Sequence, residues 1–498
     1  MVYNFNLGIG WASSGVEYAQ SYRGIALRKA GIPAKFVFTD MFPRDPLEHM
    51  TKNLYFEDDE IIWLYTFFTD FKIAPVTYAK EDFERTFQDT DYHYKREGNV
   101  GTYTFVESDT FYRAYFIDKE SDYIHRVEYV SGGKLIRKDY FSYAKMYSEY
   151  YAPVDKMARF FLRRFFNSDG TIAYDEVLEE GTDNATYHFK DRIIDSKQEL
   201  IGYMMDELHL TESDYVIVDR TTLLGQPVFQ HVKPAKIGVV IHADHYSKGS
   251  TNEQYILWNN YYDNAFRMHK YVDFYIVSTD EQKHTLEAQF EKYCGAHPNI
   301  VTIPVGCLDT LRYPKERRKP YSMMTASRLA SEKHCDYDIK ACAKIHEVLP
   351  EITLDIYGEG IEKPNLRELI KNLHAESYIR LMGQHNLTDV YEKYELYLSA
   401  STSEGFGLSL LEAVGSGLPI VGFDVPYGNP TFVDEGQNGH LYKYDEKTSE
   451  ADKVQALSDM ILKYFTEDQK EEFHKHSYEV ASTFLEEEVR DQWIRLFQ

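Results

Sequence analysis

"STSEGFGLSLLEAVGSGLPIVGFD", residues 401–424, is the stretch on which the fold turns. Gly405 and Gly407 make an open loop, and Leu408, Leu410, Leu411, Ala413 and Val414 follow at helical spacing. Gly415 and Gly417 stop the helix, and "LPIVGFD" (418–424) reads as the next strand. With "LYLSAS" (396–401) before it, this is a strand–loop–helix–strand unit of a parallel sheet. Glu404 stands before the helix and Glu412 inside it. Doubly wound sheets bind ligands outside the carboxyl ends of their strands, where this loop lies. A carboxylate there is a bidentate acceptor for vicinal hydroxyls, as on a ribose or a hexose. The bland alternative is two surface charges, but the apolar run around Glu412 argues against a casual position.

The same rhythm extends outward. "YSMMTAS" (321–327), "ITLDIYG" (352–358) and "YIRLMG" (378–383) are further strands, and Arg328 and Lys333 follow the first of them in "ASRLASEKH". Two cations at a strand end suit a phosphate pair, although such residues are more often surface charges. The chain's start reads strand, glycine loop, helix, strand: "VYNFNLGI", "GWASSG", "VEYAQSYRGIALRKA", "AKFVFTD". The loop Gly8–Gly15 enters a helix N-terminus, which favours a diphosphate; a plain tight turn fits as well. It is not a dinucleotide fingerprint, because the third glycine stands at 15 rather than 13. Strands resume at "YVIVD" (215–219), "KIGVVIHAD" (236–244), "DFYIVST" (273–279) and "NIVTIP" (299–304), and His242 sits at one strand end. Between 91 and 192 short aromatic runs alternate, with Gly132-Gly133 between two of them, which predicts an antiparallel meander inserted into the first domain. Twelve tyrosines fall between Tyr92 and Tyr151, and they predict a docking surface for a partner, with the meander's own core as the alternative. Residues 304–320 read as a linker, and a charged helix closes the chain. The expected division is 1–90 with 193–304, the insertion 91–192, a second domain 305–480, and a helix 481–498 packing back on the first domain.

The 498 residues carry a formal charge of −25, which opposes nucleic-acid binding. Arg159, Arg163 and Arg164 read as a solvated helix face. Cys294, Cys307, Cys335 and Cys342 form no CxxC pair, so buried free thiols are expected rather than a zinc site or a disulfide framework. No apolar stretch approaches 18 residues, and a cytoplasmic protein, peripheral at most on the inner membrane face, is expected. "DTD" (89–91) lies in a loop before the insertion and carries little weight as a metal site.

"SEGFGLSLLEAVGSGLPIV" resembles the E-x7-E signature of retaining family 4 glycosyltransferases of the GT-B fold. "SRLASEK" is similar to their cation motif, with Ser327 in place of a glycine, and "YGEG" (357–360) and "NGHLY" (438–442) match other words of that family. Over the whole chain, "YNFNLGIGWASSGVEYAQSYR" and the Tyr-rich insertion resemble the catalytic subunits of the O-glycosyltransferases of bacterial accessory secretion systems. That resemblance implies an α/β chain with two Rossmann-like domains facing a cleft. It implies retaining transfer of a hexose, N-acetylglucosamine in preference to glucose, from a UDP-sugar to Ser/Thr hydroxyls of a serine-rich adhesin. It also implies a non-catalytic glycosyltransferase-like partner subunit. No cofactor or metal is expected. Gly15, Val16, Glu17 and Tyr18 would line the diphosphate; Gly383 and Gln384 would meet the uracil, and Glu412 the ribose. His242, Glu404, Gly405, Phe406 and Gly407 would hold the donor sugar, with Arg328 and Lys333 neutralising the leaving group. The rivals are a lipid or polysaccharide glycosyltransferase of the same fold and a non-catalytic binding subunit. The presence of Glu404, Arg328 and Lys333 speaks against the latter.

Overall fold

In the computed structural model the strands of the second half are short and apolar because both their faces are covered. The structure describes all residues except 11–14, 155–156, 180, 183, 467 and 469. The chain divides into two compact units. The first comprises Met1–Glu17, Ile32–Val239 and Asn264–Val272; the second comprises Tyr18–Gly31, Val240–Asp263 and Asp273–Gln498.

In the first unit Val2–Asn6 lies between Tyr215–Val218 and Ala34–Phe38, all parallel, and Ile61–Trp63 extends the sheet beyond Ala34–Phe38. The rest of the unit is dominated by a ten-stranded antiparallel sheet whose strands follow one another in sequence order, from Tyr92–Glu97 to Ile193–Ile194. Gly132-Gly133 closes the hairpin between Ile124–Ser131 and Lys134–Phe141. Aromatic rings fasten the meander to the end of the parallel sheet. Tyr65 stacks on Phe165 with centroids 5.8 Å apart, and the Tyr174 hydroxyl donates to the Tyr65 carbonyl at 2.7 Å.

Two expectations change here. Tyr103, Tyr129, Tyr140, Tyr147, Tyr174 and Tyr187 are buried, so much of the tyrosine content builds the meander's own core. Arg163 and Arg164 lie on the strand Met157–Phe166, not on a helix face. Side chains alternate along a strand, so the two neighbours separate. Arg163 is buried between Glu149, at 2.8 Å, and Glu176, while Arg164 pairs with Asp175 at 2.8 Å. A buried guanidinium persists there because two carboxylates compensate its lost hydration.

The second unit holds a six-stranded parallel sheet in the order Ile379–Gly383, Thr353–Tyr357, Ser322–Ala326, Leu396–Ser399, Ile420–Asp424, Gly439–Lys443. Sequence order runs outward in both directions from the Ser322–Ala326/Leu396–Ser399 pair, so the topological switch point lies between those two strands. The segment 304–320, expected as a linker, is fastened. Leu308 exchanges backbone hydrogen bonds with residues 484 and 486, and the Arg318 guanidinium donates to the carbonyls of Glu392, Tyr394 and Ser416. The closing helix, Glu486–Leu496, sets Trp493 under the Arg23 guanidinium, 5.5 Å from the ring centre.

Asp338, in the helix Cys335–His346, is 1% exposed, and neither carboxyl oxygen has a hydrogen-bond partner among the described residues. Burial, reinforced by the Asp336 charge, holds its pKa well above the carboxylate range. A raised folded-state pKa means that the native state holds a proton the unfolded chain has lost. Stability therefore falls as pH rises above the unfolded value of about 4. Asp338→Asn removes this loss. We expect the variant to melt about 2–8 °C higher than the parent at pH 8, with a smaller gain at pH 5. Thermal scans at both values check this; an equal or lower midpoint at pH 8 refutes it.

Candidate active site

The switch point places two loops side by side, and the sequence motifs lie on them. After Ser322–Ala326 the chain turns through Ser327–Lys333, and after Leu396–Ser399 it turns through residues 400–407. The first loop runs so close to Gly358 that a Cβ there would sit 1.9 Å from the Ser327 carbonyl oxygen, and Gly358 adopts φ +128°. That contact accounts for the first glycine of "YGEG". The loops are joined by the Thr402 amide, which donates to the Glu332 carbonyl at 3.0 Å.

Lys333 and Glu404 meet directly. The ammonium donates to the Glu404 carboxylate at 2.6 Å, and the side chains are only 13% and 17% exposed. Arg328 does not join them: its side chain is 78% exposed and pairs with Glu332 at 3.2 Å. The Glu404 carbonyl accepts from the amides of Tyr427 and Gly428 at 2.7 and 2.8 Å, which fixes the backbone of the loop. Gly407, at φ +88°, begins the helix Leu408–Gly415, whose N-terminus has no side-chain cap. Such an end presents backbone N–H groups and a positive dipole, which favour an anion.

Glu412 lies one face further along that helix and is half-buried. Burial raises its pKa, against the Tyr391 hydrogen bond and the Arg312 charge, both of which lower it. The Tyr391 hydroxyl donates to it at 2.8 Å. Glu412 and Gln384 line one cavity of about 270 Å³ with Ser327, Tyr357, Gly358 and Ser409. Gly383, at φ +79°, supports this wall by accepting from the Gly358 amide at 2.8 Å.

His242 reaches the second loop from the strand Lys236–Ile241. Its carbonyl oxygen lies 2.8 Å from where a Gly405 Cβ would be, so only glycine fits at 405. Phe406 is different: its ring is buried against Phe432 and Phe484, centroids 5.1 and 6.0 Å away, and its carbonyl oxygen lies 2.2 Å from where a Gly428 Cβ would be. Gly15, Val16, Glu17 and Tyr18 begin the helix Gly15–Lys29. Val16 and Glu17 are buried, and Tyr18 is 45% exposed. The glycine–serine loop before them falls largely on residues 11–14, outside the described residues. Among the described residues no three His, Cys, Asp or Glu side chains gather as a metal-binding group, and no helix is long and apolar enough to cross a membrane.

Sequence reasoning missed Tyr391, a single member of a set of 42 tyrosines with no local signal.

Two family models match the chain: the GtfA extended beta-sheet domain over residues 93–191, and glycosyl transferases group 1 over residues 311–472. A UDP-N-acetylglucosamine–peptide N-acetylglucosaminyltransferase GtfA subunit of Streptococcus gordonii is 49% identical over 497 residues, covering 100% of this chain and 98% of the relative. Among solved structures, the pneumococcal O-GlcNAc transferase GtfA in complex with UDP and GlcNAc is 48% identical, with TM-score 0.92 over 100% of this chain and 98% of that one. A GtfA/B complex holds a chain 49% identical, with TM-score 0.96 over 100% and 99%.

Proposed function

We propose, because this chain belongs to the GtfA-subunit family of UDP-N-acetylglucosamine–peptide N-acetylglucosaminyltransferases, that it transfers N-acetylglucosamine from UDP to Ser/Thr hydroxyls of a peptide acceptor. Its fold is GT-B. The observation that carries the reading is the Lys333–Glu404 pair at the switch point, beside the open loop of Gly405 and Gly407 and the Glu412 cavity. Departure of UDP builds negative charge on the β-phosphate, and preorganised cations and helix N-termini stabilise such charge best. Lys333 and the uncapped end of Leu408–Gly415 take this role, with Arg328 joining from its exposed position. Glu404 positions the sugar and Glu412 holds the ribose. Transfer proceeds with retention, by attack from the leaving-group side, and the departing phosphate oxygen takes the acceptor proton. The acceptor class is a serine-rich adhesin. The partner is a non-catalytic glycosyltransferase-like subunit, a reading supported by the GtfA/B complex of the 49% identical chain. The protein acts in the cytoplasm.

The test is transfer from UDP-N-acetylglucosamine to a serine-rich peptide by the purified protein with its partner, with UDP-glucose in parallel. Turnover with the first donor and not the second is expected. Because the leaving group is met by cations of the chain itself, the rate should stay within about twofold in EDTA. Loss of activity with chelator and its return with manganese would overturn the metal-free assignment.

A further inference from the structure

We infer that Asp244 is a positioning residue for the transfer: it ties the loop carrying His242 to the loop carrying Glu404, so that both meet the donor sugar in register. The inference rests on the donor chemistry proposed above. The Asp244 carboxylate accepts from the Ser403 hydroxyl at 3.2 Å, and Ser403 immediately precedes Glu404. Tyr427 donates its backbone amide to the Glu404 carbonyl at 2.7 Å, and its hydroxyl meets His245 Nδ1 at 3.4 Å. Asp244 and its neighbour His245 thus hold the Glu404 loop through Ser403 and Tyr427.

The loop on which Asp244 sits is itself anchored. The Asp244 carbonyl accepts from the Asn259 side-chain amide at 2.9 Å, and the Ala243 carbonyl accepts from Gln282 at 2.9 Å. His245, buried, stacks on the Tyr427 ring with centroids 5.9 Å apart and contacts Gln289 at 2.7 Å. The His242 carbonyl closes against Gly405. Two loops from different parallel sheets are held together by side-chain hydrogen bonds, and at the sugar site a displacement near 1 Å costs about a hundredfold in rate. The role of Ser403 follows from Asp244, which is the acceptor of its hydroxyl.

The experiment measures kcat and KM for UDP-N-acetylglucosamine, and Kd for UDP, in the complex with its partner. Wild type is compared with Asp244→Ala, Asp244→Asn, Ser403→Ala and the double variant Asp244→Ala/Ser403→Ala. We expect Asp244→Ala to lower kcat by about ten- to a hundredfold with Kd for UDP within about twofold. Asp244→Asn, whose amide oxygen still accepts, should recover most of the rate. The double variant should be no slower than Asp244→Ala, since both substitutions break one linkage. Unchanged kcat in Asp244→Ala, parallel loss of kcat and UDP affinity, or additive effects in the double variant would each overturn the inference. If Asp244→Ala does not fold, Ser403→Ala decides, because it removes a single hydroxyl: unchanged kcat refutes the linkage and a selective fall in kcat supports it. A wild-type complex that turns over no UDP-hexose sinks the proposed function and this inference together. An active wild type with an equally active Asp244→Ala sinks the inference alone.

Discussion

Glu404→Gln lowers turnover of the UDP-sugar by about one to two orders of magnitude while UDP binding stays as it is or tightens. Replacing a carboxylate acceptor by a neutral amide removes a charge-assisted hydrogen bond, which is worth roughly 1.5–3 kcal/mol. That loss falls on the sugar that Glu404 is proposed to position. The ion pair adds a second effect. Lys333 is held by Glu404 at 2.6 Å, and a diphosphate must compete with this carboxylate for the ammonium. With glutamine at 404 the competitor is neutral, so UDP meets a readier cation. Glu412→Ala gives the opposite pattern. It removes a half-buried carboxylate from the wall of the 270 Å³ cavity proposed for the nucleotide, and UDP binding weakens about ten- to a hundredfold. Calorimetric titration with UDP and steady-state kinetics on the two variants separate the roles. If Glu404→Gln weakened UDP binding and Glu412→Ala spared it, the assignments would have to be exchanged.

Replacing Val154, Met157 and Phe161 together by serine abolishes co-purification with the partner subunit and leaves turnover on a short peptide largely intact. These apolar side chains stand exposed at the end of the hairpin formed by Lys145–Val154 and Met157–Phe166, Met157 being 73% exposed. Burying such a cluster against a partner contributes about 25 cal/mol per Å² of apolar area, and serine forfeits it. The tyrosines that first suggested a docking surface are a poorer target. Tyr147 and Tyr174 are buried with Phe165 under Tyr65, and serine there opens the core. Removal of the whole insertion is unsuitable for the same reason, since it would strip the cover from Trp63 and Tyr65. Affinity capture of the tagged partner and a peptide transfer assay provide the two readouts. Stoichiometric capture by the triple variant would show that this end of the meander is not the docking surface.

The parallel strands, the helix after the glycine loop and the antiparallel insertion were legible in the sequence, as were Lys333, Glu404 and Glu412 as candidates for the site. Those signals are local: a period of two or of 3.6, a glycine pair between alternating runs, a carboxylate beside glycines at a strand end. Tertiary structure decided which residues meet. Lys333 and Glu404 are 71 positions apart, and they pair because Ser322–Ala326 and Leu396–Ser399 became neighbours at the switch point. Strand order is set by crossover connections and by burial of the whole sheet, which no window of sequence contains. The same holds for side-chain fate. Phe406 looked like part of an open sugar loop and is core, Arg328 looked like a partner of Lys333 and stands in solvent, and Arg163 looked like a surface cation and is buried between two glutamates. Whether a polar or aromatic side chain faces water, a ligand or another chain segment depends on the long-range packing that supplies its partners. That packing exists only once the strands have taken their places.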